Sequence, residues 1–254
     1  MHVGISGLTA SGKTTVATHL ATVYRCVRLV TSDALLRALR LESVKKEERL
    51  RAWLAGPGPA PGRIARHPLT DRFVDLAAVD EFRVQEDIVA ETLTLPWLCS
   101  PENTALWVLL QAPEEIRAER IRRNMVELAL DDALTIVRRK DAETRAAMLD
   151  AWGVDVTSPG LAARYDLVLV NDERMSADDL QRIVAAAVDV YRCHIGRDET
   201  GDIDSRVHRL RGLLDRFGTV CTRASPLLLD VRCPSVDRWT CRQHEECAGP
   251  RVEV

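Results

Sequence analysis

The sequence predicts a doubly wound α/β fold, with five parallel strands covered by helices on both faces. Three observations predict it. Five short runs, "HVGIS", "VRLVTS", "DIVAETL", "ALWVLLQA" and "DLVLVN", are apolar and rich in β-branched residues without strict alternation, as a sheet buried on both faces requires. Stretches of helical periodicity separate the runs, and strand–helix alternation is the pattern of a parallel sheet with crossover helices. The first run also passes through a glycine loop straight into a helical stretch, giving a complete strand–loop–helix unit.

The first element sets the chemistry. Gly7-Leu8-Thr9-Ala10-Ser11-Gly12-Lys13-Thr14 satisfies G-x-x-x-x-G-K-[ST] in full. Glycines let backbone N–H groups converge on anionic oxygens, and the helix that follows adds positive potential at its N-terminus. Gly7, Thr9, Ala10, Ser11, Gly12, Lys13, Thr14 and Thr15 are therefore the expected cradle for the phosphates of a nucleoside triphosphate. Lys13 is expected to reach the β- and γ-phosphates, and the Thr14 hydroxyl to ligate Mg²⁺. The helix after the loop carries Val16, Leu20 and Val23 at helical spacing.

The second run ends beside Asp33, and "AGPGPAPGR" (55–63) is interrupted too often by Pro and Gly to be regular structure. The third run ends at Glu91 in an acidic neighbourhood with Asp80, Glu81, Glu86 and Asp87. After the fourth run, Arg138, Asp141 and Arg145 fall at i, i+3 and i+7 and share one helix face. "SADDLQRIVAAAVDVY" opens with a capping pattern, Ser176 to Asp179, and places Leu180, Ile183, Val184, Ala187 and Tyr191 on one face. From about residue 196 the polar "GRDETGDIDS" reads as a linker. One helix is expected at 203–217 in an otherwise irregular C-terminal extension. Two domains follow: 1–195 as the main unit and 196–254 as the extension.

In order along the first 195 residues, several pieces resemble the cytidylate-kinase-like branch of the nucleoside-monophosphate kinases. "TSDALLRAL" resembles the acceptor-helix motif, with Ser32 and Arg37 at matching positions. "VAETLTLPWL" resembles the end of strand three, with Glu91 and Trp97 at the family spacing. "APEEIRAERIRRN", "RRKDAETR" with "WGVDV", and "YDLVLVNDERMSADDL" resemble the fourth-strand exit, the lid, and the last strand and helix. The resemblance implies ATP as donor, Mg²⁺ as cofactor and a mobile lid at about 120–150. Its lid arginines correspond to Arg138 or Arg139 and Arg145, poised to stabilise the transferring phosphoryl group. Asp141 on the same face, Arg37, Glu91 and Trp97 are then acceptor-site candidates, and Arg120 a nucleotide-site candidate.

Two departures bear on the acceptor. The family pattern has Glu-Gly-Arg after strand three, its Arg gripping the acceptor phosphate; here the stretch is Glu91-Thr92-Leu93. Losing a charge-assisted contact of that kind costs roughly 1.5–3 kcal/mol. Asp33 stands where the Ser-Gly-Ala motif carries Gly, and it is read either as a helix N-cap or as a base for a hydroxyl acceptor. The leading expectation is an ATP-dependent phosphotransferase acting on a small-molecule hydroxyl, such as an antibiotic or aminoglycoside-like metabolite. The alternatives are a cytidylate-type nucleoside monophosphate kinase and a non-catalytic nucleotide-binding regulator.

Net charge is −3 over 254 residues, so neither nucleic acid nor an anionic membrane is an expected partner. No apolar run approaches the ~18 residues of a membrane span. With no signal-like N-terminus, a cytoplasmic monomer or homodimer is expected. Seven scattered cysteines in that setting predict no structural disulfide. Cys233, Cys241, His244 and Cys247 offer zinc-type ligands without a standard spacing, and an irregular cap burying Trp239 is the other reading.

Overall fold

The computed structural model describes residues 1–31, 68–99, 105–125, 127–196, 198, 202–217, 221–224 and 228. Five strands appear where predicted: β1 (His2–Ser6), β2 (Val27–Val30), β3 (Ile88–Glu91), β4 (Leu106–Gln111) and β5 (Leu167–Val170). They are all parallel and ordered β2-β3-β1-β4-β5. A sixth, unpredicted strand, β6 (Cys221–Ala224), joins the far edge antiparallel to β5. The extension is therefore partly regular and contributes to the sheet.

The strands read as continuous apolar runs because both faces are covered. Val3, Ile5, Leu106, Val108, Leu110, Leu167 and Leu169 face one core, while Leu109 and Val168, between them in sequence, face another. This period of two is the pleat of a β-strand. The first core is completed by α1 (Lys13–Tyr24), whose Val16, Ala17 and Leu20 are buried. Val23 departs from the predicted stripe and is 54% exposed. Tyr24, four residues after Leu20, packs there instead and its hydroxyl donates to Ala185 O and Asp189 Oδ1.

On the opposite side, Ala78, Val79 and Phe82 of α2 (Pro68–Val84) cover Ile88 and Ala90. The short α3 (Leu95–Leu98) adds Leu95. Next come α4 (Glu114–Asn124) and the long α5 (Leu130–Trp152). Acidic Glu114 and Glu115 open α4 and basic Arg122 and Arg123 close it, matching the helix dipole at both ends. Ala118 and Ile121 of α4 pack on Ala133 and Val137 of α5. Gly153, in the left-handed region at φ 65°, terminates α5.

The last two helices finish the first core. α6 (Ala177–His194) is capped as the sequence predicts: the Ser176 side chain accepts from the Asp179 N–H, and its five predicted apolar residues are buried. α7 (Ile203–Arg216) lays Val207, Leu210 and Leu214 into the same core. Arg206 ties α7 to α6 by donating to Asp189 O and pairing with Asp198. No helix among the described residues is long and apolar enough to cross a membrane. The Pro/Gly-rich stretch 55–63 and the Cys/His cluster at 233–247, with Trp239, lie outside the described residues.

Candidate active site

The loop between β1 and α1 is shaped by two glycines no other residue could replace without displacement. Gly7 has φ 147°, and a Cβ there would lie 2.3 Å from Leu110 O. Gly12 has φ 105°, and a Cβ there would lie 2.7 Å from Asn171 Nδ2. Only glycine occupies such backbone regions without strain.

Three side chains from later elements hold the loop from outside. Asn171, at the end of β5, donates to Ser11 O at 2.8 Å. Arg120 of α4 donates to Ala10 O at 3.1 Å and to Asn171 Oδ1 at 2.9 Å. Arg117, one turn earlier, is 3% exposed and donates to Ala112 O at 3.0 Å and Thr9 O at 3.4 Å. Its two terminal nitrogens then fork onto Asp141 of α5 at 2.8 and 2.6 Å. Arg120 is the nucleotide-site candidate of the sequence and here supports the loop backbone, whereas Arg117 was not among the candidates. The i, i+3 spacing of the two arginines was the available signal.

Within the loop, Lys13 Nζ donates to Leu8 O at 2.8 Å. Burial, with nearby Arg117 adding to it, brings the Lys13 ammonium down to about 8 against the partial relief of Glu91 and Asp141. Glu91 and Asp141 compensate this cation only in part, which suits a side chain that meets an anion. Thr14 Oγ1 donates to Glu91 Oε2 at 2.7 Å, and Glu91, at the end of β3, is 6% exposed. Arg28 of β2 holds the other oxygen of Glu91. That arginine was also missed, although a charge inside an apolar strand is itself a signal that a partner exists.

A cavity of about 370 Å³ opens over the loop. Gly7, Thr9, Ala10, Lys13, Thr14 and Glu91 line it from the sheet side. Asp71 and Asp75 of α2, with Leu93, close a second wall. Asp75 also accepts from Thr94 Oγ1 at 2.9 Å and Trp152 Nε1 at 2.7 Å. The third wall is the α5 stripe Thr144, Ala147, Met148 and Ala151, which recurs at i, i+3, i+4 and i+7.

That rotation of α5 decides where the predicted lid cations lie. Arg138 is 64% exposed and donates to Glu114. Arg139 faces Glu143 at 3.6 Å. Arg145 forks onto Asp155 at 3.0 and 2.6 Å. The structure does not bring these three to the cavity, and Asp141 serves as the seat of Arg117 instead of lining it. Ser11 is fully buried, Thr15 is exposed, and Gly12 closes the turn behind the cavity. Trp97 is half-buried beside Leu93 and Met148, with the Arg164 guanidinium 4.8 Å from its ring centre. Asp33 and Arg37 lie outside the described residues.

No family model matches the chain. Cytidylate kinase of Methanoregula boonei is 25% identical over 192 residues, covering 74% of this chain and 94% of that protein. Cytidylate kinase of Pyrobaculum islandicum is 28% identical over 181 residues, covering 71% and 89%. Among solved structures, an uncharacterized protein from Eubacterium ventriosum shares the fold with a TM-score of 0.51 at 11% identity, over 74% of this chain and 98% of that one. Phosphate loop, sheet and relatives together define a P-loop kinase. More narrowly, the chain resembles the nucleoside-monophosphate kinases within that class.

Proposed function

We propose that this chain moves the γ-phosphoryl group of ATP onto the phosphate of a cytidylate-type nucleoside monophosphate. The observation that carries the reading is the similarity to cytidylate kinases over nearly their whole length, 94% and 89% for the two relatives above. A complete phosphate loop beneath a cavity of about 370 Å³ supports it, a volume within the usual range for small-molecule sites. The loop amides would hold the triphosphate, and Lys13 would recover its full charge against it. Thr14 and Glu91 fit a Mg²⁺ site: Thr14 gives its one proton to Glu91, so its lone pairs are free for a hard cation, which takes oxygen donors. Bound there, Mg²⁺ would neutralise charge on the β- and γ-phosphates. Arg120 would stay with the loop carbonyl it supports. Arg37 and Trp97 are the acceptor-side candidates. Arg138, Arg139 and Arg145 serve the transferring group only after leaving their present carboxylate partners.

One observation favours a second acceptor. Among the described residues lining the cavity, Lys13 is the lone cation, against Asp71, Asp75 and Glu91, and Leu93 occupies the place of the family's phosphate-gripping Arg. A neutral or cationic alcohol, aminoglycoside-like in charge, suits such a wall, with Asp33 as the base that takes its proton.

A coupled ADP-release assay over CMP, dCMP, UMP and AMP separates the two. Turnover with CMP is expected, and Leu93→Arg is expected to raise kcat/KM for CMP by about tenfold or more, the worth of one charge-assisted contact. No turnover with any monophosphate, alongside a gain of about 80 Da on an alcohol, would establish the second reading. ATP binding without transfer to any acceptor would mark a regulator.

A further inference from the structure

β2 carries a charge in the middle of an apolar strand. Arg28, second in Val27–Val30, is 32% exposed and lies against the nearly buried Glu91. The strand register explains the meeting: Val30 pairs with Glu91, so Arg28 sits one pleat earlier on the neighbouring strand, on the same face. Its Nε and Nη2 both donate to one oxygen, Oε1, at 2.8 and 2.5 Å. Oε2 is left to the Thr14 hydroxyl at 2.7 Å.

This division has a chemical consequence. A carboxylate offers about four lone-pair sites. With Oε1 taken up by the guanidinium, Oε2 holds the Thr14 proton and keeps one lone pair for the cavity that Glu91 and Thr14 both line. A hydroxyl whose only proton is held by Glu91 meets a cation with its lone pairs. Without Arg28 the carboxylate could rotate, and the hydroxyl would lose its fixed acceptor.

We infer that Arg28 is a positioning residue of the divalent-cation site, occupying Glu91 Oε1 so that Oε2 orients the Thr14 hydroxyl toward the metal. It does not line the cavity itself; it acts through Glu91, as outer partners of metal ligands do. The inference rests on the proposed reading of the phosphate loop as an ATP·Mg²⁺ site.

Mn²⁺ is the probe. Its affinity for the ADP-loaded protein is read from the free-ion paramagnetic resonance signal, and ADP affinity is measured separately in EDTA by calorimetry. Arg28→Met keeps the aliphatic stem and removes the donors. It is expected to leave ADP affinity in EDTA within about twofold while weakening Mn²⁺ by about tenfold, the low end for losing an outer partner. Arg28→Lys retains the charge but not the fork, and should weaken Mn²⁺ by about threefold. A circular-dichroism melt shows whether Arg28→Met folds, and if it does not, the Lys variant decides. Mn²⁺ affinity unchanged in the folded variant overturns the inference, as does an equal loss of ADP affinity in EDTA, which would mark a general structural role. A wild-type protein that binds no ADP at all sinks the phosphate-loop reading instead, so the two failures are distinct.

Discussion

Asp141→Ala breaks the strut that joins α5 to the loop between β1 and α1. Asp141 accepts from both terminal nitrogens of Arg117, and the two side chains are 15% and 4% exposed. Arg117 also holds Ala112 O and Thr9 O, so it cannot turn to water without releasing the loop. Removing one partner of a buried pair typically costs about 3–5 kcal/mol, because a charge is left uncompensated. The low end applies here, about 3 kcal/mol, since two carbonyls still bind Arg117 and Asp141 reaches some solvent. At about 2–4 °C per kcal/mol for a domain of this size, the melting temperature should fall by about 6–12 °C in a calorimetric scan. Removing both charges in Arg117→Leu/Asp141→Leu should recover part of that loss, because no uncompensated charge remains. A melting temperature within about 2 °C of the wild type, below one kcal/mol, would refute the strut. If that result came with a raised acceptor KM, Asp141 would return to the acceptor role that its helix face predicts.

Two further outcomes follow from the loop itself. Gly12→Ala forces a Cβ to 2.7 Å from Asn171 Nδ2 at φ 105°, so Asn171 must give up Ser11 O. About 1–3 kcal/mol of strain is expected, seen as a lower melting temperature and at least about tenfold weaker ATP binding by calorimetry. For Lys13, burial sets the folded value near 8 against 10.5 in the unfolded chain. Between those values the unfolded state binds more protons, so this group's contribution to stability rises with pH across that window. Anionic phosphates favour the charged form, so nucleotide binding at about pH 8.5 should take up a proton. Calorimetry in buffers of different ionisation enthalpy measures it, and a buffer-independent heat at that pH would count against it.

Much of the fold was legible because it is coded locally. All five strand cores sit inside the apolar runs that predict them, and only their ends were overrun, as Thr31 past β2 and Thr92 past β3 show. Ser176 caps α6 as read, since a hydroxyl three residues before its partner needs no tertiary help. β6 was not legible. "CTRA" has little periodicity of its own, and it becomes a strand by pairing with the open edge of β5. In the site, the candidates Gly7, Thr9, Ala10, Lys13, Thr14 and Glu91 line the cavity; among the side chains that support them, Arg120 was a candidate from the sequence, and Arg117 and Arg28 were not. Arg28 looks like one basic residue in an apolar run until the register sets Val30 beside Glu91.

The sequence by itself determined the phosphate loop, the parallel sheet that carries it and the order of the elements, because short-range patterns of glycine, charge and periodicity encode them. The tertiary structure alone decided which cations and carboxylates meet. Arg117, Arg120, Arg138 and Arg145 are all long and all near acidic or carbonyl oxygens in sequence. Packing chose among those partners: Ala133 and Val137 lie against α4, and Met148 against Leu8 and Leu93. These contacts set the rotation of α5, turning its small residues to the cavity and its arginines away.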